Sequence, residues 1–237
     1  MKRTATTFYC FSPPVMIATF ITESVLFIYT VLRYKMNTLS RLVAAILVLL
    51  AVFQLAEYHV CEYSGTASAA VWARIGYGAI TLIPPLAIHL IRTISGRGWH
   101  IIVWLAYASA GFFAVFFGFS KSAFRSHICA GNYVIFQLVH PAGGLYFTYY
   151  YFWLFVGIGM ALYFSLHGLQ RIREALILQV FGYLTFILPT AIVNTLNPKT
   201  ISGIPSIMCG FAVLYALILV FGIVPRTLTP KSASGSD

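Results

Sequence analysis

Seven long apolar stretches separated by short polar breaks dominate the chain: 11–33, 39–61, 69–92, 98–119, 145–167, 173–195 and 201–224. Each is about long enough to cross a ~30 Å hydrocarbon layer as a helix. Helix is the conformation predicted, because backbone facing lipid has to satisfy its own hydrogen bonds. The ten-residue alternation of barrel strands is absent. Turn and breaker residues fall between the stretches, at 34–38, Gly65, 96–98, 141–144, Gly168 and 197–198. Only the connection 120–144 is long. Its segments 126–128 and 133–139, set about the turn 129–132, predict a β-hairpin. The expected fold is an all-α integral membrane protein, a seven-transmembrane helix bundle with an extracellular β-hairpin between helices four and five. Residues 1–225 make up the bundle, and 226–237 a short disordered cytoplasmic tail.

Composition strengthens this picture. Of 237 residues, 60% are apolar and 8% charged, and mean hydropathy is +0.87. Soluble domains carry about 25% charged residues, so this chain cannot clothe itself for water. Seven crossings use up the length, and no catalytic domain is expected. The net charge of +10 comes from 15 Lys and Arg against 5 Asp and Glu. The basic residues are scattered at span ends, where they meet anionic lipid headgroups, and form no stripe for nucleic acid. One side holds nine: Arg33, Lys35, Arg41, Arg92, Arg97, Arg171, Arg173, Arg226 and Lys231. The other holds six: Lys2, Arg3, Arg74, Lys121, Arg125 and Lys199. That bias predicts a plasma (inner) membrane protein with its N-terminus outside and its C-terminus in the cytoplasm. No small-residue cleavage site follows the first apolar run, and no cleaved signal peptide is expected.

Polar residues inside the spans are the candidates for chemistry, since a charge at mid-bilayer costs ~2.5–3.5 kcal/mol or more. Glu23, near the middle of the first span, reads as a proton-relay carboxyl, a ligand contact or a neutral structural residue. Gln54, Glu57, Tyr58 and Cys61 share one face of the second helix, and Arg74, Tyr77, Gly78 and Thr81 one face of the third. A Glu57–Arg74 ion pair follows as either a structural bridge or the floor of an outer pocket. His59, Glu62, His127 and His140 form a weak metal set without ligand-type spacing, and no metal is assigned. Cys61 and Cys129 both fall near the outer surface, either disulfide-bonded or as free thiols. Pro84, Pro85 and Pro189 are expected to interrupt helices three and six, as packing kinks or as hinges. The runs Phe112–Phe119 and Tyr146–Trp153 read as aromatic belts, with a ligand-stacking wall as the other reading.

A family resemblance attaches to Glu62-Tyr63-Ser64, to Ala70-Val71-Trp72-Ala73-Arg74-Ile75-Gly76-Tyr77-Gly78, to Pro84-Pro85 and to the run Gly144-Leu145-Tyr146-Phe147. These residues resemble the N-terminal seven-helix sensor region of some bacterial histidine kinases and diguanylate cyclases. The resemblance implies a receptor-like module for a small ligand, entering between the outer ends of helices two, three, five and six. Gln54, Glu57, His59, Arg74 and Asn194 are the candidate binding residues. These 237 residues contain no phosphoacceptor box, nucleotide-binding segment or cyclase domain, so the resemblance implies signalling through a separate membrane or cytoplasmic partner. Homo-oligomerisation is open, and no cofactor is named. A retinal photoreceptor is disfavoured, because 201–224 has no lysine for a Schiff base. Two other readings stand: an accessory subunit of a larger membrane complex, or a small proton- or cation-coupled transporter using Glu23 and Glu57.

Overall fold

The computed structural model describes residues 13–62, 67–97, 99–120, 124–129, 134–138 and 141–227. In chain order the elements are α1 (Pro13–Arg33), α2 (Thr38–Glu62), α3 (Ala67–Ser95), α4 (His100–Phe119), β1 (Phe124–Cys129), β2 (Val134–Leu138), α5 (Ala142–Leu166) and α6 (Gln170–Leu196). A 3-10 segment, Pro198–Gly203, leads into α7 (Ile204–Thr227). All seven helices are long and apolar enough to cross a membrane. β1 and β2 pair antiparallel from Phe124↔Leu138 to Cys129↔Val134, with a register shift between Phe124 and Ser126. Residues 130–133, which link the strands, and the tail 228–237 lie outside the described residues.

Local chemistry explains the helix boundaries. Asn37 caps α2 by accepting the Ser40 backbone N–H at 3.0 Å, and the Ser40 hydroxyl donates to the Lys35 carbonyl at 2.7 Å. Gly96 ends α3 at φ +65°, a left-handed conformation that glycine adopts without Cβ strain. α7 does not stop at the expected position 224. Its backbone passes through a π-helical turn at Ile218–Ile223 and continues to Thr227, so the start of the expected tail is helical.

Neighbours in sequence are mostly neighbours in space. α1 packs on α2, α2 on α3, α3 on α4, α5 on α6 and α6 on α7, and α7 closes the ring against α1 and α2. α3 occupies the middle, touching α5 and α6 as well. The core that results is continuous and rich in aromatic rings. Gly76 of α3 sits so close to α2 that an added Cβ would come within 3.2 Å of the Ala56 Cβ. Small residues of this kind let helices approach in lipid, where packing replaces the hydrophobic effect as the driving force.

Two expectations need correction. Pro84, Pro85 and Pro189 do not interrupt their helices: α3 and α6 run unbroken through them. A proline removes one intrahelical donor, and the carbonyl that Pro85 leaves without its usual donor, that of Thr81, receives the Tyr149 hydroxyl from α5 instead. The aromatic runs, in turn, do not present all their rings to the surface. With about 3.6 residues per turn, each run divides between two faces. Phe113, Phe117, Tyr146, Tyr149 and Trp153 are buried, whereas Phe112, Phe119 and Phe152 are exposed on the apolar surface.

Candidate functional site

Four of the buried polar side chains, Thr19, Gln54, Glu57 and Ser206, meet in the half of the bundle that carries the hairpin. Gln54 and Glu57, one turn apart on α2, line a crevice with Val15, Met16 and Thr19 of α1 and Ser206 and Gly210 of α7. The crevice has no room for a water molecule. Glu57 is in hydrogen-bonding contact with Ser206, and its Oε1 is buried without a partner. Gln54 Nε2 is also unpartnered. Glu23, one turn below Thr19 on α1, is wholly buried with neither carboxyl oxygen hydrogen-bonded, and it lies within electrostatic reach of Glu57. Cys209 of α7 is a buried free thiol within electrostatic reach of both carboxyls.

The Glu57–Arg74 ion pair is not formed. Glu57 meets Ser206, and Arg74 is engaged elsewhere. Helical spacing correctly put Gln54 and Glu57 on one face, but that face turns to α1 and α7. It is Phe53 and Ala56 that meet α3, at Gly76. Among the described residues the ion pair present is Arg226–Glu174, at 3.4 Å and the opposite end of the bundle.

The other candidates occupy different surroundings. His59 stacks on Trp72, with ring centroids 4.3 Å apart and planes 15° from parallel. Asn194 accepts the Thr200 hydroxyl at 2.7 Å, fixing the 3-10 segment to the end of α6. Neither lines the Gln54–Glu57 crevice. Cys61 is disulfide-bonded. The side chains of Glu62, His127 and Cys129, and all of Cys10 and His140, lie outside the described residues. Among the described residues no group of three or more His, Cys, Asp or Glu could hold a metal ion.

A second feature falls on the aromatic run for which a ligand-stacking wall is the other reading: a tyrosine-lined cleft between α3, α5 and α7. Its outer part is lined by Ile80, Tyr146, Tyr150, Tyr151, Met208 and Cys209, and is almost wholly apolar. Tyr150, Met208 and Cys209 also line a deeper cavity that reaches Tyr183 and Tyr215. Each holds about 20 Å³, space for roughly one water molecule. Around them Tyr146 packs edge-on against Phe113 and Phe117, and Trp153 donates its indole N–H to Ser109 at 2.9 Å. The signal was present in the i, i+4 spacing of Tyr146 and Tyr150, obscured by an unbroken run of aromatic residues.

At the opposite end lies an open cavity of about 490 Å³, lined by Thr93, Gln170, Arg171, Arg226 and Thr227 among others. Arg97 donates to the His167 carbonyl at 2.8 Å nearby, tying the α3–α4 connection to the end of α5. A scan against protein-family models and a search of curated proteins each find no match for the chain.

Proposed function

We propose that this protein is a membrane-embedded sensor module that admits a small, largely apolar ligand to the tyrosine-lined cleft and passes its occupancy to a partner protein. The observation that carries this reading is the pair of adjacent cavities, sharing Tyr150, Met208 and Cys209 in their walls, that extend from Tyr146 and Tyr151 to Tyr183 and Tyr215. Small-molecule sites are mostly apolar clefts with a few placed polar groups, and the lining here has that character. Both are narrow, so a ligand larger than water must part α5 from α7. That separation makes binding mechanically legible at the other end of the same helices. The open, arginine-bearing cavity at Arg171 and Arg226 offers an acidic partner segment a place to read it.

The reading includes sidedness: the hairpin and the cleft mouth outside, the N-terminus outside, and the arginine-bearing cavity in the cytoplasm of the plasma (inner) membrane. Two features support it. Among the described residues eight basic ones, Arg33, Lys35, Arg41, Arg92, Arg97, Arg171, Arg173 and Arg226, fall at the cavity's end of their helices, and Cys61, at the end of α2, is disulfide-bonded, as an oxidising compartment permits. We assign the bond to Cys129, because Cys209 is free and β1 packs against α2.

The test is a thermal-shift screen of the detergent-purified protein against small aromatic and lipid-like compounds, repeated on Met208→Trp, which fills the junction between the two cavities. Stabilisation of the parent but not of M208W supports the cleft. Stabilisation unchanged in M208W, or absent across the panel, overturns it.

A further inference from the structure

Two of the five acidic residues in this chain are Glu23 and Glu57, both essentially inaccessible to solvent and buried among apolar helices. Three of their four carboxyl oxygens have no hydrogen-bond partner. Among the described residues neither has an ion-pair partner, and Glu23 lies in the field of Glu57. A buried carboxyl lacking both partner and water is costly, and a pair of them multiplies the cost. Protonation or a bound cation can meet that cost.

We propose that Glu23 and Glu57, with Gln54, Ser206 and Thr19, form a binding site for a small, dehydrated alkali cation, sodium in the first instance. The donors are all oxygens, the preference of hard cations. Glu57, in the crevice wall, supplies Oε1, and Glu23, one turn from Thr19 and behind that wall, supplies a carboxyl with both oxygens unpartnered. The Thr19 hydroxyl spends its proton on the Val15 and Met16 carbonyls, at 3.0 and 2.9 Å, which leaves its lone pairs for the ion. Gln54 is wholly buried with Nε2 unpartnered. A half-turn of its amide, which alters no packing, presents the oxygen instead.

The same geometry sets the selectivity. Magnesium retains several waters, and this crevice cannot hold one. Potassium is about the size of a water molecule and meets the same limit. Zinc and copper seek imidazole and thiolate, and no histidine lines the crevice. With one carboxyl protonated and the other ionised, bound sodium leaves the site neutral overall, as a lipid-surrounded core requires. Its ligands come from α1, α2 and α7, so the ion fastens the first helix to the last. This site is separate from the tyrosine-lined cleft and stands whether or not that cleft binds a ligand.

The experiment measures thermal unfolding of the intact protein in detergent at fixed pH, titrating sodium chloride against choline chloride at constant ionic strength, with ²²Na⁺ binding measured in parallel. The expected result is saturable stabilisation by sodium, at least tenfold weaker with potassium. Glu23→Gln and Glu57→Gln each weaken ²²Na⁺ binding at least tenfold, Ser206→Ala weakens it less, and Glu174→Gln leaves it unchanged. Both glutamines are near-isosteric, and should either fail to fold, Thr19→Val and Ser206→Ala carry the same test. Equal stabilisation by sodium and choline, or sodium binding retained in both glutamine variants, overturns the site.

Discussion

The Tyr149 hydroxyl on α5 donates to the Thr81 carbonyl on α3 at 2.7 Å. In an uninterrupted helix that carbonyl receives the N–H of residue 85, which is proline here and has none. Tyr149 therefore supplies from a neighbouring helix what the α3 backbone lacks. Thr81 adds a bond of its own, its hydroxyl donating to the Tyr77 carbonyl at 2.6 Å.

The expectation is that Tyr149→Phe destabilises the bundle by about 0.5–1.5 kcal/mol, the range for hydrogen bonds within membranes and for a buried acceptor left unmet. In a Pro85→Ala background, where an N–H is restored, the same change should cost markedly less. A double-mutant cycle of thermal or denaturant unfolding measures the difference, and equal costs in both backgrounds would show that the two residues are not coupled.

Close packing of α6 on α7 yields a sharper contrast. A Cβ on Gly182 would lie 2.5 Å from the Tyr215 ring, whose hydroxyl is held by Gln179 at 2.6 Å. Tyr215 is also stacked on Tyr183, 5.9 Å away at 15°. The ring has no room to retreat. Gly182→Ala is expected to lose about 1–3 kcal/mol through overpacking. Gly159→Ala, where nothing lies within 4 Å of the added atom, should be neutral or slightly stabilising through helix propensity. Comparable losses at both positions would contradict the packing argument.

Much of this architecture is legible in the sequence, and the reason is physical. Membrane spans are long uninterrupted apolar runs, so all seven are visible, and their ends fall within a few residues of the expected positions. What a single chain does not display is which neighbour a helical face meets. Spacing groups Gln54 with Glu57, but only closure of the ring brings Ser206 and Thr19 to them rather than Arg74. Which rings of the run Tyr146–Trp153 line the cleft stays open for a related reason: when nearly every residue in a run is aromatic, hydrophobic periodicity cannot separate the face turned to lipid from the face turned inward.

For the cysteines, alkylation followed by mass measurement should label Cys61 only after reduction. Cys129→Ser should expose Cys61 to the reagent without reduction, and should lower stability by about 2–4 kcal/mol, as loss of a loop-closing disulfide does. Protection of Cys61 that survives in C129S would shift the assignment to Cys10.

The Arg226–Glu174 pair should matter little to stability. Its side chains are 41% and 47% exposed at 3.4 Å, and exposed pairs contribute about 0–1 kcal/mol. Glu174→Gln is expected to change the unfolding temperature scarcely at all. A large drop would mean that the pair is shielded from solvent by more than this chain alone.

The π-helical turn at Ile218–Ile223 has a bearing on where α7 aims its last residues. Such a turn amounts to one residue inserted into regular winding, and each helical residue advances the azimuth by about 100°. Without that insertion the guanidinium of Arg226 would swing a quarter of the way round the cylinder, away from Glu174 and out of the cavity it now borders. Excising a single residue between 218 and 223 should thus leave the upper part of α7 in place while re-aiming everything below it, as a rotated key keeps its bow and turns its bit.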